Sequence, residues 1–224
     1  KFRNCTNTNE PGCAIQKALE MGELDMDRWQ SYRKLKAEND YMEEFRRITQ
    51  KAINFVFLIS IPLTVYFILY AKEGILFLSG NAYSKAILPM QVIMPTLIFI
   101  GLTNIMGIQI LVPLGREKIV LYSEIAGAIV DLFINILLIP RMAATGAAIG
   151  TLIAELAVWI VQFVALRYDI IEAYKKVKYF AIILGIIIAS MLSIWIKLFR
   201  LGSFITLVLT AIVFFGTYGV TLII

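Results

Sequence analysis

The twenty residues from Ala52 to Ala71 carry no charge, and this run limits how the chain can fold more than any other feature. The stretch before it, "EEFRRITQK" from Glu43 to Lys51, is rich in charged residues. A helix of about 20 apolar residues crosses the roughly 30 Å hydrocarbon core of a bilayer. The change at Lys51 therefore predicts a helix that leaves water and enters a membrane.

Further apolar segments of similar length follow along the chain. The mean hydropathy of +0.79, with 59% hydrophobic residues, exceeds what a soluble core can use. We therefore predict an all-α, polytopic membrane bundle behind a short soluble helical segment. The six predicted spans are approximately 52–71, 87–111, 119–140, 144–166, 179–196 and 203–224. Only "PRMAAT" separates the third from the fourth, which predicts a tight helical hairpin in which Pro140 stops the first helix.

The basic residues predict an orientation. Residues 1–50 carry nine basic and nine acidic residues, and residues 51–224 carry twelve and seven, so the net charge of +5 belongs to the apolar part. Such an excess beside apolar spans is typical of cytoplasmic loops rather than of a nucleic-acid surface. Placing the N-terminus in the cytoplasm puts nine basic residues of the membrane region and its approach on that side, and five on the other.

Carboxylates and amides inside the predicted spans are the candidate functional residues. Glu124, Asp131 and Asn135 stand at i, i+7 and i+11, on one face of the third span, and Glu155 lies near the middle of the fourth. Because charge is costly in a bilayer, such groups are functional candidates by default. Two interpretations stay open: a substrate cavity or proton-coupling site, or hydrogen bonds that only hold the bundle together. Two amides complete the candidate set, Asn104 and Gln109.

Prolines and glycines add structural predictions. Pro62 and Pro95 lie inside predicted spans, where proline kinks a helix, so both are hinge candidates. Gly146 and Gly150 form the pattern "GAAIG", which allows two helices to approach closely.

The first forty residues resemble a different class of protein. The stretch "CTNTNEPGCAIQKALEMGEL", followed by "RWQSYRKLKAEN", resembles the C-terminal end of the ribosome small-subunit-dependent GTPase family. That family binds zinc through three cysteines and a histidine. The resemblance implies that Cys5 and Cys13 are two of these ligands, while Asn7 replaces the histidine. An amide is a weak zinc ligand, so we expect no metal and no cofactor. No phosphate-binding "GxxxxGK[ST]" loop is present.

The remaining residues, from about 45 to 224, resemble another family. The stretches "GLTNIMGIQILVPLGREK" and "LLIPRMAATGAAIGTLIAE" look like the C-terminal lobe of the polysaccharide or O-antigen flippases, within the multidrug/oligosaccharidyl-lipid/polysaccharide exporter superfamily. The resemblance implies translocation of undecaprenyl-diphosphate-linked oligosaccharide across the bacterial cytoplasmic membrane, without enzymatic activity. It also implies two lobes around a cavity, so the expected partners are lipid, the lipid-linked substrate and a second lobe or second copy.

The two resemblances meet near residues 44 and 45, which predicts a soluble segment over 1–44 and a membrane domain over 45–224. Neither family contains the other, so a fused or misassembled reading frame explains the join better than a selected two-domain design. A non-functional fusion fragment, or a remnant of the GTPase with a degenerate zinc site, is therefore the alternative to an incomplete half-transporter.

Overall fold

The computed structural model describes residues 13–199 and 201–223, and within these ranges the chain is helical with no β-strand. The predicted all-α class is confirmed. The chain forms two compact units, residues 1–48 and 49–224. The predicted zinc ligand Cys5 lies outside the described residues.

The described part of the first unit begins with a short helix, α1 (Ala14–Glu20). Gly22 follows with a φ of +70°, a conformation that glycine adopts without steric cost. The second helix, α2 (Met26–Leu69), begins in this unit and continues through Lys51 without interruption. Near its start, the Trp29 ring stacks on Tyr32 with 5.5 Å between centroids.

The second unit contains the apolar part of α2 and seven further α-helices within the described residues. Their bounds are α3 (Ala71–Ser79), α4 (Ile87–Ile93), α5 (Thr96–Asn104), α6 (Glu117–Met142), α7 (Ala144–Lys175), α8 (Tyr179–Ile194) and α9 (Ser203–Ile223). Short 3₁₀ segments occupy Asn81–Ala86 and Trp195–Phe199, and a π-helix occupies Ile105–Leu111.

Five helices in the described ranges are long and apolar enough to cross a membrane. Residues Asn81–Ile93 and Thr96–Leu111 form a bent pair with an angle of 44°, and counting this pair as one span brings the total to six. The break falls at Met94 and Pro95, whereas Pro62 lies inside the continuous α2. Pro95 therefore lies where a helical segment ends, whereas Pro62 is accommodated within a helix.

The tight hairpin predicted between the third and fourth spans is present, but the predicted role of Pro140 is wrong. Helix α6 passes through Pro140 and ends at Met142, and the single residue Ala143, with a φ of 49°, joins it to α7. A proline this near the end of a helix removes only one backbone hydrogen bond, so the helix can continue for two more residues. The reversal comes instead from the left-handed backbone conformation of Ala143.

The α6–α7 hairpin is closely packed because glycines line it. A Cβ on Gly146 would lie 2.6 Å from the backbone carbonyl of Leu138, and one on Gly127 would lie 2.5 Å from a Val158 methyl group. The "GAAIG" pattern thus acts in helix packing. The opposite face of α6 has no comparable cover. In the most apolar stretch of α6, 6% is buried within the chain, whereas the corresponding share is 22–28% in the other long spans.

Candidate functional site

A cleft of about 230 Å³ opens between α6 and α7, and three carboxylates line it. Glu124 and Asp131 come from α6 and Glu155 comes from α7, with Thr151 and small or apolar residues between them. At 3.6 residues per turn, positions seven apart return to nearly the same helix face, which explains why both α6 acids point into one cleft. The structure therefore brings together the three acids that the sequence selected from two different spans.

Small residues create the space of the cleft. Gly127, Ala128 and Ala154 line it beside the acids, and their small side chains let the helix backbones approach closely. Gly150 lies one residue before Thr151 on α7 and faces the polar side chains of α6. A Cβ added at Gly150 would collide with Oδ1 of Asn135 and lie 3.2 Å from Oδ1 of Asp131. Glycine is therefore required for this polar contact between the helices.

Asp131 and Asn135 form a hydrogen-bonded pair one turn apart on α6. Asn135 Nδ2 donates to Asp131 Oδ2 at 3.0 Å. The remaining oxygen of each side chain, Oδ1, is buried and has no hydrogen-bond partner. Buried acceptors are normally satisfied, because desolvation without a partner costs free energy. The pair is thus the most polar and least satisfied part of the hairpin.

A second polar contact joins the same two helices nearer the predicted cytoplasmic end. Gln162 Nε2 donates to Ser123 Oγ at 3.0 Å, and Ser123 Oγ donates to the carbonyl of Val120 at 2.7 Å. Gln162 is 1% exposed and packs against Gly107 in the π-helical segment. Its Oε1 atom has no partner. Polar groups consequently follow the α6–α7 contact from Ser123 to Asn135.

Three carboxyl groups line the cleft, and among the described residues no cationic side chain lines it beside them. The cleft is bounded by described residues alone, and none of those lining it is Lys or Arg. Within the described part of the chain, no group of three or more His, Cys, Asp or Glu side chains is arranged as a metal site.

The other predicted site residues lie outside this cleft. Asn104 ends α5, and Gln109 lies in the π-helical segment, both with exposed side chains. Cys13, one of the two predicted zinc ligands, is buried at the start of α1. The hinge candidate Pro95 stands at the break between α4 and α5. These placements leave the predicted roles of the four residues as predictions.

One polar cluster has no counterpart in the sequence predictions. Lys197 Nζ donates to the carbonyl of Leu69 at 2.8 Å, forms an ion pair with Glu73 at 3.2 Å and lies 4.6 Å from the ring centroid of Tyr70. The Glu73 side chain is 16% exposed. Lys197 therefore holds together the end of α2, the start of α3 and the turn after α8. The sequence feature that could have indicated this cluster is the position of Lys197 near the end of an apolar span, because a lysine there can extend its charge toward other polar groups.

Known proteins match two parts of the chain. About 41 residues at the N-terminus are 51% identical to the small ribosomal subunit biogenesis GTPase RsgA 2 of Lactiplantibacillus plantarum and 54% identical to RsgA of Mesorhizobium japonicum. Each match covers 18% of this chain and 12% of the GTPase. A match of 181 residues, 81% of the chain, is 26% identical to an uncharacterized membrane protein of Methanocaldococcus jannaschii, of which it covers 36%.

These relatives support a coarse assignment. The chain is a helical membrane protein with a GTPase-like N-terminal stretch, and it spans about a third of the archaeal membrane protein and about an eighth of the GTPases. No protein-family model matches the chain. No solved structure matches it either.

Proposed function

We propose that the chain is one lobe of a membrane transporter that moves a polyprenyl-diphosphate-linked oligosaccharide between leaflets for polysaccharide or O-antigen synthesis. The observation that carries the proposal is the acidic cleft between two bilayer-length helices. A purely structural bundle gains nothing from three carboxylates at one contact, because each is costly in lipid unless water, a partner or a proton compensates it. The flippase-like sequence of residues 45–224 supplies the substrate class.

The exposed face of α6 supports a second lobe. Among the described residues the cleft is lined by α6 and α7 alone, and few residues of α6 are buried within the chain. A second copy of this chain, or a separate polypeptide, would enclose the cleft and complete a cavity. The chain also matches 36% of its archaeal relative, which is consistent with a larger assembly. We place this assembly in the bacterial cytoplasmic membrane with the N-terminus in the cytoplasm, following the distribution of basic residues.

Reconstitution tests the proposal directly. The full chain would be inserted into vesicles that carry a fluorescent polyprenyl-diphosphate oligosaccharide, and transfer would be followed by quenching of label in the outer leaflet. We expect transfer above that of empty vesicles, and loss of most of it in Asp131→Asn and Glu155→Gln. Glu172→Gln is the matched control for Glu155→Gln, because Glu172 lies on the same helix but is exposed and outside the cleft.

Two outcomes would contradict this function, and a third would contradict the proposed orientation. The first is a transfer rate no higher than that of empty vesicles for every oligomeric state that can be purified. The second is equal loss in Glu172→Gln and Glu155→Gln, which would show that the cleft has no special role. The third is labelling of a cysteine placed beside Lys118 by an impermeant reagent from outside the cell, which would reverse the proposed orientation.

The GTPase-like N-terminus favours a second candidate, a fusion fragment without transport activity. Identity of 51–54% over about 41 residues is strong for that stretch, yet it covers 12% of each GTPase. Long-read sequencing across the codons for residues 40–46 distinguishes the two cases, because two separate genes would identify the join as artificial. Equimolar zinc in the purified chain would instead support a surviving metal site at Cys5 and Cys13.

A further inference from the structure

The hydrogen-bonding groups of Asp131 and Asn135 do not balance. Asn135 Nδ2 donates to Asp131 Oδ2 at 3.0 Å, which leaves Oδ1 of each side chain buried and without a partner. Both Oδ1 atoms face α7 at Gly150, where they are among the atoms nearest to the space that a Cβ would fill. Two acceptor oxygens therefore lie near the same small space beside Gly150, and neither receives a hydrogen bond there.

This imbalance does not depend on how the amide is turned. A carboxylate only accepts hydrogen bonds, whereas a primary amide has one accepting oxygen and one donating nitrogen. If the Asn135 amide were rotated by half a turn, its nitrogen would face Gly150 and its oxygen would oppose Asp131 Oδ2. In either orientation the pair has more acceptor oxygens than donor hydrogens between its two side chains, so at least one buried oxygen is left without a donor, which is unfavourable where water is excluded.

We propose that Asp131 and Asn135 form a proton-binding pair, in which neutral Asp131 donates its O–H to Asn135 Oδ1 while Asn135 Nδ2 donates to Asp131 Oδ2. The result is a ring of two hydrogen bonds without net charge. Loading forms one O–H bond on Asp131 Oδ1 and breaks one in a hydronium ion that enters the cleft, which leaves a water molecule and removes the single negative charge of the pair. Unloading breaks that bond and returns the proton to water.

No cationic side chain among the described residues lines the cleft to balance a charge on Asp131. The two helices that line the cleft contribute Glu124 from α6 and Glu155 from α7 as its other titratable groups. Thr151 is uncharged, and the described lining residues include no Lys or Arg. Because no cation is positioned to balance an ionised Asp131, a bound proton is the remaining means of neutralising it among these groups.

Gly150 connects the proton to the position of α7. With no side chain at this position, α7 covers both Oδ1 atoms and keeps water from them. Separation of α6 from α7 would admit water to the pair and allow the proton to leave. The use of this exchange in a translocation cycle rests on the proposed function, whereas the protonated pair itself does not.

Infrared spectroscopy of the full chain in lipid nanodiscs tests the pair without any transport assay. A protonated carboxylic acid has a C=O stretching band separate from the carboxylate bands, and that band shifts in D₂O. At neutral pH we expect such a band in the unaltered chain, its loss in Asp131→Asn and its retention in the Glu124→Gln/Glu155→Gln double variant. In Asn135→Leu the band should shift, because the carboxyl group loses its amide partner.

The Asp131→Asn variant is suited to this test because it preserves the ring. An amide at position 131 can donate where the protonated carboxyl donates, so we expect the same midpoint of thermal unfolding as for the unaltered chain. The proposal is overturned if the neutral-pH band is absent, or if it survives Asp131→Asn and vanishes in the double variant. The Asp131→Asn comparison decides the matter even if Asn135→Leu does not fold.

The two proposals can fail separately. An intact Asp131 band with no transfer of lipid-linked oligosaccharide would remove the proposed function and leave the proton-binding pair. Transfer that depends on Asp131, together with only carboxylate bands at neutral pH, would retain the transporter and remove the protonated pair.

Discussion

At the scale of single residues, glycine decides whether the two polar faces of the hairpin can meet. Gly146 and Gly150 both face α6, but they meet different atoms. The neighbour of Gly146 is the backbone of Leu138, which cannot move aside without bending α6. The neighbour of Gly150 is the side chain of Asn135, which can rotate at the cost of its hydrogen bond.

This difference predicts an order of stability for glycine substitutions. Gly146→Ala should lower the free energy of unfolding by about 2–3 kcal/mol and Gly150→Ala by about 1–2 kcal/mol, within the usual range for overpacking. Gly216→Ala on α9 is the control, since a Cβ there meets nothing within 4 Å. Its expected effect is a slight gain, because alanine favours helix. Thermal unfolding in detergent measures the order, and equal shifts for all three variants would contradict it.

The sequence revealed the acids at this scale but not their partners. The spacing of Glu124 and Asp131 is sufficient to place both on one helix face, because helical periodicity is a local property. Which atoms of Asp131 and Asn135 stay unpaired depends on Gly150, which lies on another helix. Such a contact cannot be obtained from local periodicity.

At the scale of helices, one lysine stabilises a break in the chain. The backbone leaves α2 at Leu69 and resumes as α3 at Ala71, so carbonyl groups at the end of α2 lack their helical partners. Lys197 donates to the Leu69 carbonyl and also pairs with Glu73 on α3. The cation thus pairs with a carbonyl at a helix end and with one oxygen of a largely buried carboxylate at the same time.

Removing this lysine should cost more than removing an exposed one. We expect Lys197→Met to lower the free energy of unfolding by about 1–3 kcal/mol, between the effects of surface and fully buried pairs, because Glu73 loses its cation. Adding Glu73→Gln should restore part of the loss. Lys175→Met, which removes an exposed pair with Glu172, should have little effect. Chemical unfolding of Lys197→Met, Glu73→Gln, the double variant and Lys175→Met in detergent tests this, and additive losses at Lys197 and Glu73 would argue against coupling.

Helix existence and approximate bounds were predictable, but helix ends were less so. The uncharged runs predicted the spans because a bilayer requires about 20 apolar residues to cross it. The role assigned to Pro140 failed, since α6 continues through it to Met142 and the reversal instead occurs at Ala143. Pro62 and Pro95 also show that a proline alone does not predict where a helix ends, since Pro95 coincides with a break between helices and Pro62 does not.

At the scale of the whole molecule, the exposed apolar surface requires a lipid environment. In the long spans, 6–28% of the most apolar stretch of each helix is buried within the chain, so most of this surface faces outward. In water such a surface would cause aggregation. The membrane also explains why three carboxylates are gathered at one cleft instead of being spread over the helices, since isolated charges in lipid are costly.

Fractionation checks this conclusion. The expressed chain should sediment with membranes on ultracentrifugation, resist extraction by alkaline carbonate and enter solution only with detergent. A chain ending at residue 48 lacks the apolar spans and is the control, for which we expect release by carbonate. Recovery of the full chain as a monodisperse species in the detergent-free aqueous fraction would refute the membrane assignment and the transporter proposal with it.

The amino-acid sequence by itself determined that the chain is a helical membrane protein, because apolar length and helical periodicity act over a few neighbouring residues. It also determined which acids share the face of α6. The tertiary structure alone decided that Glu155 joins them in one cleft, that Gly150 covers the Asp131–Asn135 pair and that Lys197 reaches Glu73. These features depend on which helices pack together and at what separation, and that geometry is set by contacts between residues far apart in the chain.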